Sequence, residues 1–329
     1  MDISVIIPLY KAREYIEACL KSLLEQTIID QMEIIVVDDC GKDGSVDVLQ
    51  IIQKQHTKGS CIRLVQMEHN QGAWAARNRG IECANGRYIG FCDADDWVDK
   101  QMYERLLAEA EVYNADFAVC NVMKVYENNG KSVTLNHPIR HSAVMDDELK
   151  KKFFVEGKAL FSTAIYSKKL LDDNNIRFPN AKFSEDSCFW WMVVMHTRRI
   201  AVVDQVGYYY RIQQSSVSRR PDPDKAFIKL RVHNELMQLF SHQNLYKPFK
   251  DELDYMYIKK ALLIPLITEA INSNKPRIGE LLTRSEVKDI VSNKYFKTDR
   301  KKQLLYFMFQ KCPTLLSLAL KLRYKHDPF

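Results

Sequence analysis

The sequence predicts an α/β protein built on a mainly parallel, doubly wound sheet. Short apolar runs rich in β-branched residues alternate with segments whose apolar residues recur at helical spacing. The first four runs are predicted strands, at residues 3–9, 33–38, 62–67 and 87–92. The segments between them are predicted helices, at residues 13–26, 45–55 and 72–84. Because these runs are almost wholly apolar, we expect each of the four strands to be buried on both faces.

After residue 97 the alternation is less regular. Helices are predicted near residues 100–113 and 146–155, and strands at 116–126, 132–135, 199–203 and 206–211. From about residue 222 the pattern is helical, and Pro221-Asp222-Pro223 marks the boundary. We therefore expect an α/β domain over residues 1–220, with halves of about 1–97 and 98–220, and a helical extension over residues 221–329.

The composition excludes disordered and fibrous proteins, since 46% of the residues are hydrophobic and 27% are charged. The first residues lack the basic segment of a signal peptide, and no window holds about 18 consecutive apolar residues. We therefore expect a cytoplasmic protein. The eight cysteines form no Cys-x-x-Cys pair, which indicates reduced thiols rather than a zinc site or a disulfide framework.

Charge is distributed unevenly along the chain. Residues 1–204 carry 25 Lys/Arg against 30 Asp/Glu, whereas residues 205–329 carry 23 against 12. Between residues 294 and 325 there are nine cations and one acid. Apolar side chains interleave with these cations, namely Tyr306, Phe307, Phe309, Leu315, Leu316, Leu318 and Leu320. This pattern predicts helices that lie on an anionic membrane surface; the alternative is a helical bundle packed on the catalytic domain.

An acidic turn follows the fourth predicted strand. In doubly wound sheets the ligand lies beyond the carboxyl ends of the strands, where Asp93-Ala94-Asp95-Asp96 is expected. Three neighbouring carboxylates repel one another unless a cation is present. Mg²⁺ or Mn²⁺ would suit them, because such an ion takes one or two carboxylates and completes its shell with phosphate oxygens and water. The alternative is that these acids only cap the helix near Lys100.

Five segments, taken in order, resemble the inverting glycosyltransferase family 2 and its nucleotide-diphospho-sugar transferase fold, GT-A. The resemblance is to members that build bacterial capsule and lipopolysaccharide. The segments are Ser4 to Tyr10, Ile35 to Asp39, Asn70-Gln71-Gly72 with Ala76 to Gly80, Ala84 to Asp96, and Ser184-Glu185-Asp186.

The resemblance implies a donor site at the ends of the first strands. The turn at Pro8 would hold the nucleotide, Tyr10 would stack on its base, and Asp39 would accept a hydrogen bond from a base imide such as that of uracil. Arg77 would contact the donor. The alternatives are a helix N-terminal acid for Asp39 and an ordinary surface arginine for Arg77.

For the acidic turn, the resemblance implies that Asp95 binds the metal and that Asp93 approaches the ribose or the metal beside Ala94. Asp96 is expected to anchor the turn. Glu185 and Asp186 would begin a helix at the cleft, and Asp186 would be the general base that takes the proton of the acceptor hydroxyl. The alternative is that both acids only cap that helix.

A tyrosine-rich strand carries the last predicted donor residues. By the same resemblance Arg211 and Ser216 would contact the pyrophosphate, whereas a strand arginine with ordinary surface pairing is the alternative. Four positions, in three places along the chain, depart from the family. Lys11 replaces the usual Asn, Cys40-Gly41 replaces Gly-Ser, and Gln213 replaces a common His.

The implied reaction moves one hexosyl or N-acetylhexosaminyl group from a nucleotide-diphospho-sugar, by family expectation a UDP-sugar, to a hydroxyl of a glycan or lipid-linked saccharide. Polysaccharide synthases of the family carry Gln-x-x-Arg-Trp and membrane spans, and this sequence shows neither. We therefore expect one sugar to be transferred per visit. The basic and apolar C-terminal helices predict peripheral contact with the cytoplasmic face of the inner membrane.

Two other functions fit part of the sequence pattern. A sugar-phosphate nucleotidyltransferase should begin with a Gly-rich loop, which Pro8-Leu9-Tyr10-Lys11 lacks. A nucleic-acid-binding module would use the basic C-terminal half. We expect no nucleic-acid partner.

Overall fold

A computed structural model describes residues 1–157, 161–213, 222–273, 275–285 and 289–323 of the chain. The chain forms two compact units. The first comprises residues 1–148 and 158–213, and the second comprises residues 149–157 and 214–329. The first unit is α/β and the second is helical.

The described part of the α/β unit contains a ten-stranded sheet. Its strands are β1 Ile3–Leu9, β2 Met32–Asp38, β3 Ile62–Gln66, β4 Tyr88–Phe91, β5 Trp97–Val98, β6 Phe117–Tyr126, β7 Ser132–Leu135, β8 Ala143–Val144, β9 Ala164–Ser167 and β10 Arg199–Ile212. The helices that begin in this unit are α1 Ile16–Leu24, α2 Ser45–Gln55, α3 Ala73–Cys83, α4 Met102–Tyr113, α5 Asp147–Glu156, α6 Lys168–Asp173 and α7 Glu185–His196. The predicted alternation of strands and helices in the first 97 residues is confirmed.

The strand order is β3-β2-β1-β4-β9-β6-β10-β5, with β7 beside β6 and β8 beside β10. The strands β3, β2, β1 and β4 pair in parallel, as do β6 and β10. The other pairings, including those of β9 with β4 and β6, are antiparallel. The chain runs outward from β1 through β2 to β3 and then returns to β4 on the other side of β1. The strand order therefore switches between β1 and β4, where ligands of such sheets bind.

Two sequence predictions about the strands are wrong. The strand β3 is not buried on both faces, because it lies at the sheet edge, where Arg63 and Gln66 are exposed. The predicted strands 199–203 and 206–211 form one strand, β10. Its register with β6 shifts between Val203 and Tyr208, so that extra residues are absorbed in bulges without ending the strand.

Helix α3 packs closely on β1 because it has no side chain at Gly80. A Cβ atom there would lie 2.3 Å from the Cγ2 of Ile6, a fully buried residue of β1. This close approach sets the depth of α3 against the sheet, and Arg77 lies on the same helix.

Replacing Gly80 with Ala should lower the free energy of unfolding by about 2 kcal/mol, because the added methyl overpacks a core that cannot easily yield. All four tryptophans lie in the α/β unit, so urea unfolding followed by their fluorescence reports this unit. In an Ile6→Ala background the clashing side-chain atoms are absent, so Gly80→Ala should lower the free energy of unfolding by less. Equal costs in the two backgrounds would contradict this account.

The helical unit contains α8 Lys225–His242, α9 Lys250–Tyr257, α10 Ile264–Asn272, α11 Ile278–Thr283, α12 Lys294–Thr298, α13 Arg300–Lys311 and α14 Pro313–Arg323. A π-helical segment, Ile258–Leu263, joins α9 to α10. Helix α10 packs against α8 and α14. Among the described residues, no helix combines the length and the apolar composition needed to cross a bilayer.

The C-terminal helices α13 and α14 have one packed face and one exposed face. Four of the apolar residues singled out in the sequence are buried, namely Tyr306, Phe309, Leu316 and Leu320. The other three, Phe307, Leu315 and Leu318, are exposed, together with Leu304 and Leu322. Both helices therefore combine a packed apolar face with an exposed one, and membrane contact of the exposed face stays a prediction.

Candidate active site

The acidic turn follows β4 at the switch in strand order, and β10 holds it in place. Asp96 is buried, and its carboxylate accepts hydrogen bonds from the Tyr208 hydroxyl at 2.6 Å and from the Arg211 backbone N–H at 2.8 Å. The Tyr208 hydroxyl also accepts the Asp93 N–H at 3.1 Å. Asp96 thus anchors the turn, as predicted, and leaves Asp93 and Asp95 at the surface of the site.

Arg77 connects the acidic turn to helix α7. One terminal nitrogen lies 2.8 Å from Oδ1 of Asp93, and the other lies 3.0 Å from Oε1 of Glu185. Only 6% of the arginine side chain is exposed. The sequence predicts donor and metal binding on the acidic turn and a base at Glu185-Asp186. One buried cation, Arg77, pairs with an acid from each of these two segments.

Aromatic rings support this guanidinium from the side of the core. Its central carbon lies 4.7 Å from the ring centre of Phe161 and 5.3 Å from that of Phe178. The Phe178 ring stacks on Phe189 of α7, with centroids 4.1 Å apart. The Asn78 amide exchanges two hydrogen bonds with the Phe178 backbone, which fastens the loop before α7 to α3. Arg77 is therefore an interior residue, and its direct contact with the donor stays a prediction.

The carboxylates around Arg77 outnumber it, and their pKa values reflect this. Burial and the neighbouring Asp93 charge raise the pKa of Asp95 to about 6. Burial and the charge of Asp186 raise the pKa of Glu185 to about 7, although Arg77 opposes the shift. Burial also raises the pKa of Asp96 well above its ordinary range. The site therefore carries more negative charge than its own cations neutralise.

The family implies a divalent metal, and the residues of the acidic turn are compatible with one. Among the described residues, no group of three or more His, Cys, Asp or Glu side chains is arranged to hold a metal. Asp95 and the second oxygen of Asp93 offer two carboxylates, the number that Mg²⁺ usually takes from protein when phosphates supply the other ligands. Burial is the main cause of the raised pKa of Asp95, and the nearby Arg211 offsets only part of the shift.

Arg211 supports the acidic turn from β10. Its Nε donates to the Asp95 carbonyl at 2.7 Å and its Nη1 to Glu127 at 2.8 Å. The guanidinium lies over the rings of Tyr15 and Trp97, at 5.1 and 4.7 Å from their centres. A role in binding pyrophosphate stays a prediction for this residue. Ser216, the other predicted pyrophosphate residue, lies outside the described residues.

Asp39 organises the loop that begins α3. Its carboxylate accepts the N–H groups of Gln71 and Gly72 at 2.7 and 2.8 Å and the Asn70 side-chain amide at 3.0 Å. These bonds match the alternative role of an acid at a helix N-terminus, although the helix is α3 and not the one that follows Asp39. A carboxylate has about four acceptor positions, so one remains for a base imide. Asp39 is only 2% exposed, however, and this contact stays a prediction.

The loops after β1 and β2 contain residues in left-handed conformations. Lys11 has a φ of 51° and Cys40 a φ of 58°. Asn and Gly, which the family usually has at these two positions, adopt such angles most readily. The departures noted in the sequence therefore leave the loop shape in place at a cost in backbone strain. Beside Lys11, Tyr10 is 45% exposed at the strand-end edge, as expected of a ring that stacks on a ligand.

Helix α7 begins in the same strained manner. Ser184, its N-cap residue, has a φ of 66° and makes no side-chain capping bond. Glu185 and Asp186 occupy the first turn, and Oδ1 of Asp186 accepts the Ser187 N–H at 2.7 Å. Non-glycine residues in this conformation cluster at functional sites. The other oxygen of Asp186 has no bond among those recorded for the described residues.

Sequence reasoning missed several supporting residues. Tyr208 holds the acidic turn directly, Glu127 and Tyr15 hold it through Arg211, and Asn78 holds the α7 loop, yet none of them was assigned a role from the sequence. The run Tyr208-Tyr209-Tyr210 was the one available signal, because a buried tyrosine hydroxyl needs a partner.

Comparison with known proteins settles the family. The sequence profile of Glycosyl transferase family 2 matches residues 4–174, about half of the chain, and this range holds the switch in strand order and the acidic turn. The chain belongs to glycosyltransferase family 2. Its activity is that of a glycosyltransferase and not of a sugar-phosphate nucleotidyltransferase.

Relatives of this glycosyltransferase extend the similarity beyond that range. The putative glycosyltransferase EpsH of Bacillus subtilis (strain 168) is 28% identical over 285 residues, which are 85% of this chain and 80% of that protein. The poly(ribitol-phosphate) beta-N-acetylglucosaminyltransferase TarS of Staphylococcus aureus (strain Mu50 / ATCC 700699) is 29% identical over 216 residues, 64% of this chain and 35% of that protein.

Solved structures confirm the predicted GT-A fold. The crystal structure of S. aureus TarS 1-349 in complex with UDP-GlcNAc matches with a TM-score of 0.67 at 21% identity, covering 99% of this chain and 92% of that one. The mannosyltransferase PcManGT from Pyrobaculum calidifontis, in complex with GDP-Man and Mn²⁺, matches with a TM-score of 0.54 at 17% identity, covering 99% and 88% of the two chains.

Replacing Arg77 with Met should lower the free energy of unfolding of this glycosyltransferase by about 3 kcal/mol, because two partly buried carboxylates lose their buried cation. Arg79, two positions along α3, is exposed and pairs with Glu82 on the same helix. Arg79→Met should therefore change stability by no more than about 0.5 kcal/mol. Urea unfolding followed by tryptophan fluorescence compares the two, and similar losses would contradict the bridge.

The pKa of Glu185 predicts a pH dependence of stability. Because folding raises this pKa from its ordinary value to about 7, the folded chain prefers the protonated acid. The stabilising contribution is complete below about pH 4.5 and is lost as the pH rises through about 7. From pH 5 to pH 8, the free energy of unfolding should fall by about 2 kcal/mol relative to that of Glu185→Gln.

Parallel urea titrations of the two proteins at each pH measure this difference. A constant difference between pH 5 and pH 8 would show that Glu185 titrates normally.

Proposed function

We propose that this glycosyltransferase moves one hexosyl or N-acetylhexosaminyl group from a UDP-sugar to a hydroxyl of a glycan or lipid-linked saccharide in cell-surface polysaccharide synthesis, with inversion at the anomeric carbon. The observation that carries the proposal is the buried Arg77 bridge between Asp93 and Glu185. It holds the candidate donor residues and the candidate base residue in one rigid arrangement.

The donor side comprises the ends of β1, β2 and β4. The exposed Tyr10 ring is suited to stack on the base, and Pro8 and Asp39 shape the loops on either side of it. UDP is supported by the complexes of S. aureus TarS with UDP and UDP-GlcNAc, whose fold this chain shares. PcManGT holds GDP-Man, so GDP-sugars are the donors to test against.

Asp95 and Asp93 would hold Mn²⁺ or Mg²⁺, with Ala94 between them leaving room for the diphosphate. When bound, the metal would neutralise the charge that develops on the leaving diphosphate. PcManGT, which shares the fold, was solved with Mn²⁺. Arg211 and Asp96 have a different task, since they hold the turn so that the two carboxylates stay in register.

Asp186 would act as the general base. Ser187 N–H holds one of its oxygens, which leaves the other to accept the proton of the acceptor hydroxyl. As this proton leaves, the acceptor oxygen forms a bond to the anomeric carbon, and the bond to the diphosphate oxygen breaks with its electron pair. Glu185, which is bound to Arg77, would position Asp186 and keep the start of α7 fixed.

A panel of UDP- and GDP-sugars with Mn²⁺ or Mg²⁺, scored for nucleotide release and for the anomer formed, tests the proposal. Asp186→Asn should lower kcat at least about 100-fold while nucleotide still raises the melting temperature. Asp95→Asn should abolish the rise in melting temperature that Mn²⁺ adds in the presence of UDP. Asp47→Asn, an exposed acid on α2, should change neither property.

Unchanged turnover in both site variants would refute these roles. Retention of the donor's anomeric configuration would refute the single-displacement step.

We also propose that the helical unit contacts the cytoplasmic face of the inner membrane. The support is the combination of cations and exposed apolar side chains on α13 and α14. The full chain should sediment with vesicles that contain phosphatidylglycerol and much less with vesicles of phosphatidylcholine alone. Binding to DNA or RNA with a steep salt dependence, and to neither vesicle, would favour a nucleic-acid partner instead.

A further inference from the structure

An open cleft of about 470 Å³ lies within the helical unit, next to the first turn of α13. The rings of Tyr255 and Tyr295 form part of its wall, with centroids 5.6 Å apart. Asp299, Arg300 and Lys301 line it from the start of α13. The cleft thus combines aromatic surface with cations, a chemistry that suits a phosphate group.

The one acid among these lining residues is already engaged. Asp299 caps α13 by accepting the Lys302 N–H at 3.1 Å, accepts the Tyr255 hydroxyl at 2.9 Å, and pairs with the Lys302 ammonium. Arg300 and Lys301 are exposed, and no ion pair is recorded for either within the described residues. Cations in the first turn of a helix are also disfavoured by the helix dipole, so an anion would relieve this arrangement.

Two more cations lie near the cleft, Lys259 on the π-helical segment and Lys302 on α13. The ammonium of Lys259 lies 4.9 Å from the ring centre of Tyr255, and the ammonium of Lys302 lies 5.8 Å from the same ring centre. Burial and the like charges of Lys260 and Lys302 lower the pKa of Lys259 to about 8. Segments of π-helix are frequent at functional sites. The cations in and beside the cleft therefore outnumber Asp299, its one lining acid.

The exposed face of α13 continues from the cleft into apolar residues. Arg300, Leu304, Phe307 and Lys311 follow one another at helical spacing and are all exposed. At about 1.5 Å per residue, Phe307 lies roughly 10 Å along the helix from Arg300. One face of α13 thus carries an apolar stretch with a cation at each end. Such a face suits the boundary between lipid headgroups and acyl chains, where the cations can contact headgroups and the apolar side chains can contact acyl chains.

Helix α14 presents a second apolar stripe. Leu315, Leu318 and Leu322 are each more than half exposed and recur at helical spacing, with the exposed Ala319 beside them. Its opposite face carries Leu316 and Leu320, which are buried. The exposed leucines are therefore additional to those that hold the helix in place.

We propose that the cleft binds the phosphate of an anionic phospholipid headgroup, while the exposed apolar faces of α13 and α14 enter the boundary between headgroups and acyl chains. This site rests on the membrane contact proposed above and gives it a defined headgroup position. A lipid suits the observations better than a free phosphate ion does, because the exposed leucines would have no role in binding the ion.

Substitutions test this site better than truncation, because removing α13 and α14 would also remove Tyr306, Phe309, Leu316 and Leu320 from the packed face. The double variant Arg300→Glu, Lys301→Glu reverses the charge at the cleft. Acids are favourable in the first turn of a helix, so this variant should keep its fold and melting temperature. The charge-matched control is Lys54→Glu, Lys131→Glu, which alters two exposed lysines of the α/β unit.

The partition coefficient of the full chain onto phosphatidylcholine vesicles containing phosphatidylglycerol should fall at least about 30-fold in the cleft variant and by much less in the control. Leu318→Ser should lower it about tenfold, whereas Ile51→Ser, an exposed apolar residue of α2, should not change it. Nucleotide release from the donor in solution, without vesicles, should be the same in all these variants.

Each contrary result has a distinct meaning. If the wild-type chain does not bind anionic vesicles, the membrane contact itself is wrong. If it binds and the cleft variant binds equally well, the membrane contact stands and the headgroup site is wrong. A third result would be that inorganic phosphate binds the wild-type chain but not the cleft variant, while neither protein binds vesicles. The cleft would then be a site for free phosphate, and the lipid assignment would be overturned.

Discussion

The candidate active site depends on one buried cation. Arg77 forms ion pairs with Asp93 and Glu185 at once. These acids are 92 residues apart in sequence, one after a β-strand end and one at a helix start. A buried ion pair of this kind contributes little net stability compared with apolar packing, but losing one partner is costly. Its effect is to fix geometry. The acidic turn and the first turn of α7 cannot shift independently while the guanidinium holds both.

The rest of the α/β unit keeps this cation in position and dry. Gly80 lets α3 approach the sheet, the Phe161 and Phe178 rings cover the inner side of the guanidinium, and Asp39 ties down the loop at which α3 begins. On the other side of the turn, Asp96 and Arg211 fasten it to β10. Asp39 and Arg211, which were predicted from the sequence to contact the donor, thus hold the loops of the site in place.

Negative charge remains in excess at the acidic turn, and positive charge remains in excess at the cleft beside α13. Each imbalance is unfavourable for the folded chain alone, and a bound partner of opposite charge would relieve it. The first imbalance fits a divalent cation that accompanies a diphosphate. The second fits a phosphate. A transferase that draws its donor from solution and its acceptor from a membrane would need sites of both signs.

The fold class, the first four strands with their helices, and the ordered motifs could be predicted without a structure, because these depend on local periodicity and on short spacings along the chain. The sequence also indicated that Asp96 anchors its turn. Other features are visible only in the folded chain. Arg77 is interior, and Asp39 binds the loop before α3. The strand β3 is an exposed edge, and β10 is continuous. These features depend on which distant residues meet, as Tyr208 meets Asp96. The same holds for α13 and α14, where periodicity identified amphipathic helices but only packing could separate the leucines that are buried from those that are exposed.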